Sequence, residues 1–93
     1  MSVSIFHDAL AHQFRTEVDG HQAELNYRLV GTVMSITHTG VPSEIGGRGI
    51  AAQLMEAALA QAQAAGWTVV PACTYAAGFM TKHPEFHHLR EYK

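Results

Sequence analysis

From residue 13 to residue 39 the chain alternates in polarity. Phe14, Thr16 and Val18 fall on one side of a strand and Gln13, Arg15 and Glu17 on the other. Asp19-Gly20 follows, a two-residue hairpin signal because both residue types tolerate positive φ. Ala23, Leu25, Tyr27 and Leu29 then alternate with Gln22, Glu24, Asn26 and Arg28, which predicts an antiparallel strand with one wet face. Gly31 marks a turn, and residues 32–39 read as a third strand with Met34, Ile36 and His38 on one face and Val33, Ser35 and Thr37 on the other. Beyond it the period changes. Gly40, Pro42, Gly46 and Gly47 make a loop, and residues 49–65 form an Ala-rich helix with Ile50, Leu54, Met55, Ala58, Leu59 and Ala62 near helical spacing. Gly66 is placed to end that helix. Residues 67–73 read as a buried strand, in which Pro71 has no N–H for a neighbour. Residues 75–82 predict a short helix stopped by His83-Pro84. Residues 1–12 are weakly patterned and suggest a short strand and turn.

The third and fourth strands flank one long helix, a connection that places them parallel in an otherwise antiparallel sheet. The fold class is therefore α/β in the α+β sense: a mostly antiparallel sheet with one parallel crossover through the central helix. At 93 residues a single domain spanning 1–93 is expected, with residues from about 87 to 93 as a flexible tail. A 47% hydrophobic content against 15% charged residues points to a folded globule. The net charge of −2 gives no basic face for nucleic acid. No segment reads as a secretion signal or reaches membrane-spanning length, so a cytoplasmic protein that engages no membrane is expected. The single Cys73 forms no internal disulfide, and there is no Cys-x-x-Cys pattern. His83 and His87 are four apart, but no third ligand accompanies them, so no metal site is expected.

The candidate chemistry begins in Glu44-Ile45-Gly46-Gly47-Arg48-Gly49-Ile50-Ala51. A glycine-rich turn into a helix exposes N–H groups that nothing in the helix satisfies, and the helix dipole adds positive charge there. Such a place suits a diphosphate. Arg48 adds a charge-assisted contact or points to solvent. No Lys-Ser or Lys-Thr follows a glycine, so a Walker loop is absent. Gly47-Arg48-Gly49 lacks the third glycine of a dinucleotide fingerprint. A plain turn into the helix is the other reading.

The segment from Val41-Pro42 to Gly49-Ile50-Ala51, with Leu54 a turn later, resembles motif A of the GNAT N-acetyltransferase superfamily, Gln/Arg-x-x-Gly-x-Gly/Ala. Gly49 and Ala51 match its second half, and Gly46 stands where the superfamily has Gln or Arg. Together with His38-Thr39, Cys73-Thr74-Tyr75 and His83-Pro84-Glu85-Phe86, the chain resembles the small single-domain YjdJ-type members. The resemblance implies acetyl-CoA as the cofactor, its pantetheine arm held in a strand pair that splays after residue 38 and pairing near Thr39 and Val41. It implies cofactor contacts from Gly46, Gly47, Arg48, Gly49, Ile50 and Ala51, and from Cys73, Tyr75, Phe79 and Lys82, although a solvated helix end is the stronger reading of Lys82. The superfamily's usual tyrosine acid falls at Met80, which leaves Tyr75 as the substitute. Cys73 falls where the superfamily often has Asn. It either accepts the acetyl group as a thiolate or packs as a small hydrophobe. His38 is either a general base or a strand-end anchor.

The resemblance further implies acetyl transfer to a primary amine. Val18-Asp19-Gly20-His21 is a tight hairpin where the superfamily inserts a helical pair that walls the acceptor site. The open side suits a protein, peptide or bulky amine, or completion by a second copy in a homodimer. A non-catalytic CoA or acyl-CoA sensor is the alternative function.

Overall fold

The computed structural model describes residues 3–91. Five strands form one sheet in the order β1 (Phe6–Asp8), β2 (Gln13–Val18), β3 (His21–Val30), β4 (Val33–Gly40) and β5 (Thr68–Pro71). The first four are antiparallel neighbours, and β5 runs parallel to β4. Asp19 and Gly20 both take positive φ, 52° and 78°, as a two-residue hairpin with right-handed strand twist requires.

The crossover from β4 to β5 is helix α1 (Ile50–Ala65). Its six helically spaced apolar residues, Ile50, Leu54, Met55, Ala58, Leu59 and Ala62, are all buried. They meet Phe14, Leu25, Tyr27, Met34, Ile36 and Val69 from the sheet in a single core. Gly66 ends the helix in the left-handed region, with its N–H donating to Gln63 and that of Trp67 to Ala62. Helix α2 (Thr74–Lys82) adds Ala76, Phe79 and Met80 to the same core. Both helices thus cover one face of the sheet, and the other face is open. No helix among the described residues is long and apolar enough to cross a membrane.

Two expectations change. Residues 87–91, expected in a flexible tail, are packed. Pro84–Leu89 makes 3₁₀ turns that bury Leu89, Arg90 bridges Val69, and the Glu91 N–H donates to the Val69 carbonyl at 2.8 Å. An apolar side chain and a free strand edge at β5 hold the segment down. The last two positions of that tail lie outside the described residues.

The second change is in β4. Tyr27 pairs with Ile36 but Asn26 pairs with His38, so Thr37 is an extra residue, a β-bulge. Its hydroxyl donates to the Asn26 carbonyl at 3.3 Å. Side chains alternate faces along a strand, so one inserted residue reverses every side chain after it. Met34 and Ile36 are buried, whereas His38 is exposed beside Asn26 on the open face and does not share their side.

Candidate active site

The pairing of β4 with β5 ends at Ile36 and Pro71. Past that rung the Ile36 carbonyl accepts both the Ala72 and Cys73 N–H groups, each at 3.0 Å, and the chain turns away into α2. β4 continues to Gly40 with no β5 partner, so the strands part after residue 36, two residues earlier than the resemblance implies. Pro71 is tolerated because it is the last residue of its strand.

Thr39 and Cys73 face each other across this gap, with Oγ1 and Sγ 3.9 Å apart. Cys73 is also the N-cap of α2, and its sulfur accepts the Ala76 N–H at 3.4 Å. An acceptor atom at a helix N-terminus lies where the helix dipole favours negative charge. Cys73 is half-buried, so a reagent in the gap can reach it. His38, one residue before Thr39, is directed to the opposite face by the bulge, and its imidazole lies over Gly40, where a Cβ would come within 2.9 Å of Nε2.

The glycine loop lies between β4 and α1 in the chain. Gly47 and Gly49 both have φ of 75°, and a Cβ built on either meets nothing within 4 Å, so open space lies over the loop. Gly49 caps α1 without a side-chain hydrogen bond, which leaves the first-turn N–H groups of the helix for an external acceptor. The Ile50 side chain is buried, and only its backbone faces that space. Gly46 is a weaker member of the set, because its N–H already donates to the Ser43 carbonyl at 3.1 Å. Arg48 is paired with Asp19 of the β2–β3 hairpin at 2.7 Å. The loop therefore fits a diphosphate through the amides of residues 47–51.

A cleft of about 310 Å³ runs between the first turn of α1 and the length of α2, lined by Ala52, Thr74, Tyr75, Gly78, Phe79 and Lys82, with His83 at its end. Tyr75, Phe79 and Lys82 thus gather in one groove. Burial, with the Glu56 carboxylate adding to it, pushes the Tyr75 phenol above its ordinary value. It keeps its proton at neutral pH and can donate it. Phe79 stacks on His83 at 3.9 Å between ring centroids. His83 Nδ1 and His87 Nε2 donate to the Phe79 and Met80 carbonyls at 2.8 and 2.7 Å, tying the following turns to the end of α2. Among the described residues no cluster of metal-ligating side chains occurs. Met80, where the resemblance places the superfamily's acid, is wholly buried.

Ala52, Thr74 and Gly78 escape sequence reasoning. Gly78 carried a signal, since a glycine inside a short helix is a cost to folding and invites a reason.

Comparison with known proteins bears on the family and the fold. The sequence pattern of the GCN5-related N-acetyl-transferase family matches residues 13–89. A GCN5-like protein of Staphylococcus aureus, solved in solution by NMR, is 24% identical and superposes with a TM-score of 0.76, over 98% of this chain and 90% of that one. At that identity the likeness speaks for the fold. The family match takes in β2 to the 3₁₀ turns after α2, and so the loop, the parted strands and the cleft together: the chain belongs to the GCN5-related N-acetyltransferase family.

Proposed function

We propose that this chain binds acetyl-CoA and transfers the acetyl group to a primary amine. The observation that carries the reading is the parting of β4 from β5 with Thr39 and Cys73 facing across it, next in the chain to Thr74 of the cleft between α1 and α2. The amides of Gly47, Arg48, Gly49, Ile50 and Ala51 hold the diphosphate. The open edge of β4 near Thr39 and Val41 offers backbone groups to the pantetheine amides, and Tyr75, Phe79 and Lys82 line the path.

Acetyl-CoA supplies the activated acetyl group as its thioester. The Cys73 thiol gives its proton to solvent and attacks the acetyl carbonyl as a thiolate, forming an S–C bond as the bond from that carbonyl to the CoA sulfur breaks. The Tyr75 hydroxyl gives the leaving sulfur its proton. The amine then forms the N–C bond, Cys73 regains its electron pair, and His38 takes the proton the nitrogen loses.

Calorimetry with acetyl-CoA tests the binding step, and no heat of binding would sink the proposal. Mass spectrometry after acetyl-CoA incubation tests the transfer. An acetyl adduct on Cys73 that is lost to an added amine supports it, and Cys73→Ala then abolishes turnover. Turnover that survives Cys73→Ala shows direct transfer instead. The buried Met80 in the acid position favours a second reading, a CoA sensor, and binding without turnover over a broad amine panel would establish it.

A further inference from the structure

The open face of the sheet carries a second and larger hollow, of about 600 Å³. Its floor is Val33, Ser35, Val70 and Pro71, and charged side chains of Arg28 and Glu91 border it. It lies on the face opposite both helices, since the residues flanking its floor in sequence, Met34, Ile36 and Val69, are the buried ones. It ends at the Ile36–Pro71 rung, the last before the strands part.

Three observations give this hollow a role. The first is access. The cleft between α1 and α2 opens on the helix side, so a second substrate meets the thioester from the other side of the gap. The second is the bulge at Thr37, which brings His38 onto the open face while Thr39 faces Cys73. The third is charge. Arg28 pairs with Ser35 in the ladder and is exposed, and its guanidinium makes no hydrogen bond or ion pair among the described residues. Arg90, at the far end, is already engaged within the chain.

We propose that the hollow is the acceptor site, and that it takes a primary amine bearing an anionic group, carboxylate or phosphate. Arg28 binds the anion. His38 stands one cross-strand step nearer the gap, opposite Asn26, so anion and amine sites are separated by two residues of strand, roughly 7 Å. Glu24, which accepts the Asn26 side-chain amide at 3.0 Å, adds negative charge on the gap side and favours the ammonium end pointing there. The Glu91 carboxylate at the other border repels a second anion and limits the site to one. This assignment rests on the acetyl-transfer reading for its role but not for its binding chemistry.

The test is titration of the full-length, nitrogen-15-labelled chain, followed by NMR, with O-phosphoethanolamine, 4-aminobutanoate, ethanolamine, butylamine and inorganic phosphate. The first two are expected to shift the amides of Ser35 and Val70 and the Arg28 Nε–H. The two plain amines are expected to leave them in place. Arg28→Gln should weaken binding by about tenfold or more, the loss of one charge-assisted hydrogen bond, while acetyl-CoA binding is unchanged. Preference for one of the two anionic amines decides between phosphate and carboxylate. Equal response to the plain amines, no response at millimolar concentrations, or an unaltered Arg28→Gln titration overturns the site. Inorganic phosphate binding as well as O-phosphoethanolamine reduces it to an anion site and overturns the acceptor role. Absence of acetyl-CoA binding with these shifts intact would refute the transfer reading alone.

Discussion

Gly78 separates what the cleft is for from what the fold needs. It lies inside α2, has no positive φ, and a Cβ built on it meets no atom within 4 Å. Neither turn geometry nor close packing demands glycine there. In an exposed helix interior, glycine is about 1 kcal/mol worse than alanine. Gly78→Ala should therefore stabilise the free protein by about 1 kcal/mol, which for a domain of this size raises Tm by about 4–8 °C. The same position lines the 310 Å³ cleft between α1 and α2. A Leu side chain at residue 78 would project into that volume. Gly78→Leu should keep a Tm at least equal to wild type, because leucine is a good helix former, yet weaken acetyl-CoA binding by about tenfold or more, about 1.4 kcal/mol. Thermal unfolding without ligand and calorimetry with acetyl-CoA read the two effects separately. The reasoning fails if Gly78→Ala lowers Tm, which would make the glycine structural. It fails equally if Gly78→Leu binds acetyl-CoA like wild type.

Other substitutions test the loop and the core. Gly49→Ala forces a Cβ into the left-handed region at φ 75°, so urea unfolding should show a loss of about 1–2 kcal/mol, with weaker acetyl-CoA binding alongside. Arg48→Ala should change stability by less than about 1 kcal/mol in the same assay, because its pair with Asp19 is exposed. Burial holds the His7 imidazole below its ordinary value of 6.5; His12 also lowers it, Asp8 opposes, and the ring bonds the Tyr27 hydroxyl and stacks on Phe14. Below 6.5 the unfolded chain takes up a proton at His7 that the folded chain resists, so stability falls with pH until the folded group also titrates. Tm should drop as pH falls below that value, and the drop should shrink in His7→Gln. Asp8, held low by its hydrogen bond from Arg15, loses its contribution only below its ordinary 3.8 and does not confuse the measurement.

The elements legible in the chain are those whose cause is local. β2 and β3 each carry a strict alternation, and Asp19-Gly20 between them can take no more economical form than the hairpin. α1 shows its six buried positions at helical spacing and its terminator as a glycine. The illegible features depend on partners far along the chain. His83 and His87 look like a polar tail until the carbonyls of Phe79 and Met80 are placed beside them. Arg48 looks free until Asp19, 29 residues earlier, arrives. The bulge is the most consequential case. Nothing in Ser35-Ile36-Thr37-His38 marks an extra residue, since each type is at home in a regular strand, and only the register against β3 reveals it. Its effect is to set consecutive residues on opposite faces: Thr39 toward Cys73, His38 toward the open face that Arg28 shares. A regular strand would do so too, but with the two roles exchanged, leaving the imidazole among the core side chains and the threonine in water. One inserted residue therefore decides which face of the sheet each side chain serves. Deleting Thr37 removes the extra residue itself, so Ile36, His38 and Thr39 should keep their pairing with Tyr27, Asn26 and Leu25, with His38 still on the open face and Thr39 still beside the Cys73 sulfur; a retained Asn26–His38 cross-strand contact by NMR checks it, and its loss would refute the bulge.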